Sequence, residues 1–202
     1  MTTSHGDLDA VRACDLGSAT VVVHYETGAV QVLATGKYPR PVVAGRKWEA
    51  SWGVQELPMG FAEFPRVPPV HRLIAAGALL VVIVVGRTGR RHLRMHRMLR
   101  LVRHVSGYGR PPATVTEAER AVHAVRGLGL FSPVRVACLE ESVAAVLTLA
   151  ALGRGARWCH GAIGDPIRLH AWIEAEGFPV AEPDSTRRCT ALLAIPTMKE
   201  AT

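Results

Sequence analysis

Alternation of polar and apolar positions is clearest at residues 168–177, "RLHAWIEAEG". Successive side chains of a β-strand face opposite ways, so His170, Trp172 and Glu174 are predicted to share one face. The opposite face consists of Leu169, Ala171 and Ile173. This apolar face belongs in a core, and the polar face is either a solvated edge or the wall of a site.

The segments on either side predict two more strands. "RWCHGAI" precedes this strand and "FPVAEP" follows it, with the tight turns "GDP" and "AEG" between them. Three successive antiparallel strands would place His170 in the middle strand and Glu182 on the next one. Asp184 would share the face of Glu182 if that strand continued, but Pro183 disfavours continuation because proline cannot donate to a strand ladder.

Apolar residues at helical spacing begin just after Cys138. This pattern places Cys138 at the N-terminus of a buried helix that ends at Gly153 or Gly155. The apolar positions are Leu139, Val143, Val146, Leu147 and Ala150. Glu140 and Glu141 follow the cysteine directly and are expected to stabilise the first helical turn.

The preceding helix is predicted from its capping residues. Thr116 and Glu119 have the spacing of a capping box, which favours a helix that begins there and runs to about Arg126. Gly127 and Gly129 are expected to stop it.

An uncharged stretch at residues 73–86, "LIAAGALLVVIVVG", is strongly apolar. Its 14 residues fall short of the ~20 that span a bilayer, so a buried core helix is predicted. An amphipathic helix with a basic face follows. Its seven arginines are Arg87, Arg90, Arg91, Arg94, Arg97, Arg100 and Arg103. They form either a solvated face or a docking surface for an acidic peptide, with Arg94 and Arg97 as candidate substrate contacts, and contact with a membrane surface stays open.

Residues 20–34 predict a β-hairpin, because two β-branched runs flank "ETG" and Gly28 can supply the positive φ of a tight turn. From 35 to 69 the chain is rich in Pro and Gly, which predicts an irregular linker. Its aromatic residues, expected to pack it down, are Trp48, Trp52, Phe61 and Phe64. The predicted organisation is an N-terminal hairpin module at 1–68, two helices at 69–106 and a further domain at 107–202.

The amino-acid composition indicates a globular protein. Of 202 residues, 49% are hydrophobic and 20% charged, as in a globular chain. The net charge of +7 favours an acidic peptide, a nucleic acid or an anionic membrane as partner. Nucleic acid is not expected, because no basic stretch is interleaved with stacking aromatics.

The four cysteines are scattered, without a CxxC pair, and the chain begins with a polar, acidic segment. Free thiols in a reducing cytoplasm are therefore expected, with association at the membrane as the alternative. Cys159, His160 and His170 lack a second pair at zinc spacing. No metal and no cofactor are predicted.

Cys138, His170 and Glu182 carry the candidate chemistry. The positive end of a helix dipole favours the thiolate form of a cysteine, although most lone cysteines are simply small buried residues. With a histidine on one strand and a carboxylate on the next, they would form the nucleophile, base and orienting acid of a cysteine hydrolase. Trp172, on the face of His170, would wall the substrate groove or pack as an ordinary aromatic.

These motifs give the chain a family resemblance. From "CLEES" through "WCHGAI" and "HAWIE" to "VAEP", it resembles the transglutaminase-like cysteine peptidase of lasso peptide biosynthesis, the B-type leader peptidase. That family is marked by a CLxxS helix start, a WCxGV-like strand and an HAWVE strand, and the resemblance covers about residues 113–196. It implies that Cys138 is the nucleophile, His170 the general base and Glu182 the third residue. Asp184 is the alternative third residue, since many members carry Asp near this position.

The resemblance implies an α+β fold, in which the Cys138 helix packs on the small antiparallel sheet of a papain-like or transglutaminase-like core. It implies a cysteine endopeptidase that removes the leader from a lasso peptide precursor. Its partners would be that precursor, a precursor-recognition protein or domain, and an ATP-dependent macrolactam cyclase. Residues 1–68 are a candidate for a degenerate form of the precursor-recognition domain. Two alternatives are a non-catalytic precursor-binding scaffold and an acyltransferase with the same triad.

Overall fold

A computed structural model describes residues 11–39, 42–45, 65–164 and 166–196 of the chain. Within these ranges it contains four α-helices and two four-stranded sheets, which confirms the predicted α+β class. The aromatic residues predicted to pack the Pro- and Gly-rich region lie outside the described residues, and they are Trp48, Trp52, Phe61 and Phe64.

The N-terminal sheet has the order β3-β2-β1-β4. Its strands are β1 Val11–Asp15, β2 Thr20–His24, β3 Val30–Leu33 and β4 Val43–Ala44. β2 and β3 pair in the antiparallel sense and confirm the predicted hairpin, with Gly28 at φ +70° in its turn. A Cβ on Gly28 would lie 2.6 Å from the His92 carbonyl oxygen, so the turn must stay small to approach the helical half of the molecule.

Four helices form the middle of the chain. They are α1 Pro69–Arg87, α2 Arg94–Ser106, α3 Val115–Gly129 and α4 Cys138–Ala151. α4 lies at the centre, because α1, α2 and α3 all pack against it and its other side contacts the C-terminal sheet. The predicted start of a helix at Cys138 is confirmed.

The predicted ends of α3 are wrong at both termini. The capping box is formed by Thr114 and Glu117, two residues before the predicted pair, with the Thr114 N–H donating to Glu117 Oε2 at 2.9 Å. The helix also continues through Gly127 to Gly129. Glycine inside a helix costs only about 1 kcal/mol, and the buried apolar face of α3 offsets that cost.

The prediction of a buried core helix at 73–86 is correct for one face only. α1 is 19 residues long, and it buries Ala75, Ala78, Leu79 and Val82 against its neighbours. Leu73 and Leu80, in contrast, are 76% and 62% exposed. Because its neighbours lie along one side, the continuous apolar run leaves half of its side chains uncovered.

The C-terminal sheet has the order β7-β6-β5-β8, and all of its pairs are antiparallel. Its strands are β5 Arg157–Gly164, β6 Ile167–Ala175, β7 Phe178–Pro179 and β8 Thr190–Ile195. Ala171 and Ile173 belong to the main core, whereas Trp172 joins a second cluster on the opposite face, so the predicted alternation is confirmed.

The predicted third strand is wrong beyond its first two residues. β7 ends at Pro179, and Ala181 takes a φ of +51°, which turns the chain out of the sheet. Pro183 then precedes a 3-10 helix at Asp184–Arg188 instead of extending a strand. The long neighbour of β5 on its other side is β8, a strand that the sequence pattern did not predict.

A buried hydrogen bond joins the two sheets. The Tyr25 hydroxyl lies 2.8 Å from His160 Nδ1, and both side chains are buried. The Trp158 ring is stacked parallel to that of His160, with 6.1 Å between ring centroids. The N-terminal sheet is therefore fastened to the strand next to β6.

Candidate active site

Cys138 is the first residue of α4, and acidic residues organise the turn that holds it. Glu140, the third residue of α4, accepts a hydrogen bond from the Ala137 N–H at 3.1 Å. This bond satisfies a backbone donor that has no partner within the helix. Glu140 also forms an ion pair with Arg94 of α2. The thiol is only partly buried, whereas Cys14, Cys159 and Cys189 are fully buried.

His170 connects Cys138 to Glu182. Its Nε2 lies 2.7 Å from Glu182 Oε2, and a further hydrogen bond joins the imidazole to the Cys138 thiol. With Nε2 committed to the carboxylate, Nδ1 is the ring nitrogen left for the sulfur. Thiol, imidazole and carboxylate therefore form one hydrogen-bonded chain.

Glu182 is held on every side. Thr186 Oγ1 donates to Oε2 at 3.0 Å, and Arg126 Nη2 donates to Oε1 at 2.8 Å. The side chain is 7% exposed. A buried carboxylate with three donors has a fixed orientation, so it can fix the ring of His170 in turn.

Arg126, near the end of α3, is the residue of this site that sequence reasoning missed. Besides Glu182 it binds the Glu141 carboxylate of α4 and the carbonyl oxygen of Ala181. Ala181 is the residue with the positive φ, so Arg126 holds the turn that carries Glu182 back to His170. These partners are 15 to 56 residues away in sequence, and no short-range pattern signals such a contact.

The pKa values favour an ion pair of Cys138 and His170. Burial raises the pKa of the Cys138 thiol, but the hydrogen bond from His170, the Ala171 N–H and the imidazolium charge outweigh burial and leave it lowered. Burial lowers the pKa of His170, yet its bonds to Cys138 and Glu182 raise it to about 9. Both shifts favour transfer of the thiol proton to the imidazole ring.

The pKa of Glu182 is lowered, so its carboxylate stays ionised. Burial opposes this, and the hydrogen bond and charge of His170, followed by the charge of Arg126, outweigh burial. Asp184 is in a different position: its side chain is 98% exposed and faces Arg187 at 3.8 Å. Glu182, not Asp184, is the carboxylate beside His170.

Trp172 lies against the ring of His170. The two rings stack with centroids 5.9 Å apart and an angle of 12° between their planes. The Trp172 indole N–H donates to Glu174 Oε1 at 3.0 Å, and the side chain is 3% exposed. Trp172 therefore supports the imidazole from behind, and its role as a wall of the substrate groove stays a prediction.

Two cavities meet at His170. One, of about 70 Å³, lies among Cys138, His170 and Glu182. The other, of about 220 Å³, extends from His170 along Arg168, Ser185 and Thr186.

The predicted substrate contacts Arg94 and Arg97 both have partners inside the chain. Arg94 pairs with Glu140, and Arg97 donates to the carbonyl oxygens of Val85 and Gly86, at 2.8 and 3.3 Å, where α1 ends. Both stabilise helix ends, and their contact with substrate stays a prediction.

His160 does not act beside His170. Burial, followed by the charge of His170, lowers the pKa of His160 to about 4, which keeps the ring neutral for its bond to Tyr25. Within the described ranges, no three His, Cys, Asp or Glu side chains are grouped as a metal site would require.

A cysteine at the start of a helix, paired with a strand histidine that a carboxylate orients, defines a papain-like class of cysteine-dependent acyl-transfer enzymes. Residues 80–194 match the model of the Transglutaminase-like superfamily, Transglut_core3. The chain belongs to this superfamily, whose members are typically cysteine peptidases or acyltransferases. No curated protein and no solved structure matches the chain significantly.

Proposed function

We propose that this protein is a cysteine peptidase that removes the leader peptide from a lasso peptide precursor. The observation that supports it best is the hydrogen-bonded chain from Cys138 through His170 to Glu182. Membership of the superfamily favours peptidase chemistry. The CLEES, WCHGAI and HAWIE motifs resemble those of the B-type leader peptidases, and this resemblance favours a lasso peptide precursor as the substrate.

The proposed reaction has two steps. The Cys138 thiolate attacks the scissile carbonyl carbon, and the His170 imidazolium protonates the departing amine as the C–N bond breaks, which leaves a thioester to the leader. Neutral His170 then takes a proton from water, the resulting hydroxide attacks the thioester, and the thiolate departs. Glu182 holds the ring in one tautomer throughout, and the backbone N–H of Cys138 is the proposed donor to the oxyanion.

The products of this reaction suggest the partners. Cleavage just before the core peptide frees an α-amine, which a macrolactam-forming cyclase would consume. A precursor-recognition protein or domain would present the leader.

Mass spectrometry of precursor incubations tests the proposal. The full chain, mixed with candidate precursors, should release the intact leader and core with masses that add to the precursor plus one water. Cys138→Ala, which removes only the nucleophilic sulfur, should abolish cleavage. Persistent cleavage by Cys138→Ala would refute the mechanism, and a bound but uncleaved precursor with the wild-type chain would favour the scaffold.

The superfamily match also supports an acyltransferase with the same three residues. In that reaction an amine, not water, would attack the thioester. Adding a large excess of a simple primary amine distinguishes the two: an acyltransferase yields a leader amide, while a peptidase still yields the leader acid.

A further inference from the structure

Helix α1 exposes an apolar face along its whole length. Its most exposed large side chains are Val70, Leu73, Leu80, Val81 and Val84, each between 45% and 76% exposed. Val70, Leu73, Leu80 and Val84 follow one another at spacings of three, seven and four residues, and Val81 adjoins Leu80. At about 100° per residue these positions fall on one side of the helix, over about 21 Å. Soluble proteins rarely leave such a contiguous apolar surface uncovered.

Basic residues flank this apolar face along the chain. No Asp or Glu occurs between Glu63 and Glu117, a stretch that contains ten arginines. The chain has 24 Lys and Arg residues, and the 14 outside this stretch are outnumbered by the 17 Asp and Glu residues. The positive charge of the molecule is therefore concentrated on α1, α2 and their connection.

The arginines occupy both ends of the apolar face. Arg66 and Arg72 lie before and within the first turn of α1, Arg87 lies in its last turn and Arg90 follows it, and all four are exposed. Val85, one turn after Val81, also lines an open hollow of about 660 Å³ on α2. The other residues of this hollow, which we call the cationic groove, are Arg97, Arg100, Leu101, Arg103 and His104.

We propose that α1 and the cationic groove form a docking surface for an anionic lipid membrane. The exposed side chains of α1 would enter the interface between headgroups and acyl chains, and Arg100 and Arg103 would contact lipid phosphates. This inference does not rest on the proposed peptidase activity.

Charge and shape both favour a bilayer as the occupant. A cation-rich surface with no acidic residue complements an anionic layer, and each arginine near such a layer adds to its affinity. The exposed face of α1 is convex, and a deformable bilayer surface can cover a convex face. An amphipathic peptide, in contrast, docks in a concave apolar groove.

The packing of α1 determines how it would meet the bilayer. α1 is long and apolar enough to cross a membrane by length and composition, but it packs along α3 and α4. It would therefore lie flat on the surface, with its buried side held by the protein.

Vesicle co-sedimentation of the full chain tests the proposal. With phosphatidylcholine vesicles that contain about a third phosphatidylglycerol, the protein should sediment, and it should stay largely in solution with phosphatidylcholine alone. Raising the salt should weaken the binding. No sedimentation with the anionic vesicles would refute the docking surface.

Two pairs of variants locate the contact. The double variant Leu73→Asn/Leu80→Asn should lower the vesicle partition coefficient about tenfold or more, because each substitution removes apolar area that would be buried in the membrane interface. Phe131→Asn is the matched control, since Phe131 is 87% exposed but lies beyond the end of α3, and it should bind as the wild type does. Arg100→Glu/Arg103→Glu should also reduce binding, while Arg120→Glu, at an exposed site on α3, should reduce it much less.

Circular dichroism and the molar mass in solution complete the test. All variants replace exposed residues, so their spectra should match that of the wild type. Equal vesicle binding by the Leu73→Asn/Leu80→Asn variant and the wild type would overturn the proposal. So would a dimer in solution that this variant abolishes, because a second copy would then cover the apolar face.

Discussion

At the scale of single residues, the candidate site depends on how one imidazole is shared. His170 has one nitrogen for Glu182 and one for Cys138, and the thiolate and imidazolium stabilise each other. The sequence predicted all three residues from motif and position. It could not place Glu182 correctly, because a turn at Ala181 with a positive φ, not a strand, brings the carboxylate to the ring.

Cys138 should be alkylated selectively. Iodoacetamide reacts with thiolates, and the lowered pKa of Cys138 gives it a larger thiolate fraction at mildly acidic pH than an ordinary cysteine has. Burial raises the pKa of Cys14, and Cys159 and Cys189 are also buried. Peptide mapping after brief treatment near pH 6 should find the label at Cys138 well ahead of the others, whereas equal labelling of all four would contradict the ion pair.

Glu182→Gln and Asp184→Asn should differ strongly in cleavage rate. Losing the charge beside His170 should lower kcat by about a hundredfold or more, because the ring loses its preferred tautomer and its stabilised positive charge. Asp184→Asn should cost less than about tenfold, or about 1.4 kcal/mol in barrier. The alkaline limb of the pH profile, expected near the His170 pKa of about 9, should also move to lower pH in Glu182→Gln. The reverse ranking would make Asp184 the third residue.

At the scale of elements, local patterns predicted most features that rest on local contacts, although the capping box of α3 lies two residues before the predicted pair. The alternation in β6, the hairpin of β2 and β3 and the start of α4 all follow from spacing within a few residues. Three features depend on distant partners and were missed. They are β8, the open face of α1 and the bonds of Arg126 to the Glu182 turn.

Arg126→Gln should weaken both the fold and the site. Arg126 forms ion pairs with the half-buried Glu141 and the buried Glu182, so its loss should destabilise the fold by about 3 kcal/mol near neutral pH. The lowered pKa of Glu182 contributes stability above its unfolded value of about 4.5, and that contribution disappears as pH falls. Urea unfolding should therefore show the variant approaching the wild type at low pH. Arg120→Gln, exposed on the same helix, is the control, and a pH-independent difference would contradict this role.

Gly161→Ala should disrupt the pairing of β5 with β8, while Gly164→Ala should be tolerated. A Cβ at Gly161 would lie 2.3 Å from the Thr190 carbonyl oxygen, where the pairing of β5 with β8 is irregular. A Cβ at Gly164 would have Leu16 Cβ as its nearest neighbour, at an ordinary contact distance of 3.7 Å. The expected loss for Gly161→Ala is about 2 kcal/mol or more in the free energy of unfolding. Similar urea midpoints for the two variants would show that the sheet shifts to make room.

At the scale of the whole molecule, the N-terminal sheet and the sheet that carries His170 are joined by buried contacts. Tyr25 bonds to His160, and the Gly28 turn abuts the chain just before α2. The predicted division at residues 68 and 106 stays a prediction, but within the described residues these parts share contacts. The superfamily match at 80–194 likewise begins inside α1.

Tyr25→Phe should cost more stability than Tyr108→Phe. Both hydroxyls lie beside a histidine nitrogen, but the Tyr25 pair is buried, whereas Tyr108 is 61% exposed and water can replace its bond to His104. Leaving His160 Nδ1 without a partner should cost about 1–3 kcal/mol, and the exposed change should cost almost nothing. Thermal unfolding at mildly alkaline pH, where His160 is uncharged in both states, provides the comparison. Equal midpoints would mean that the link between the sheets contributes no stability.

The concentration of arginines between Glu63 and Glu117 also gives the α1–α2 side a strong positive potential. In the field of an anionic surface such a molecule rotates before contact, so encounters begin with this side foremost. Dissolved salt would then act mainly on the rate of arrival, because it screens the approach, and much less on the rate of departure, which buried apolar contacts control. Stopped-flow measurements at several salt concentrations should accordingly show association rates that change steeply and dissociation rates that hardly change.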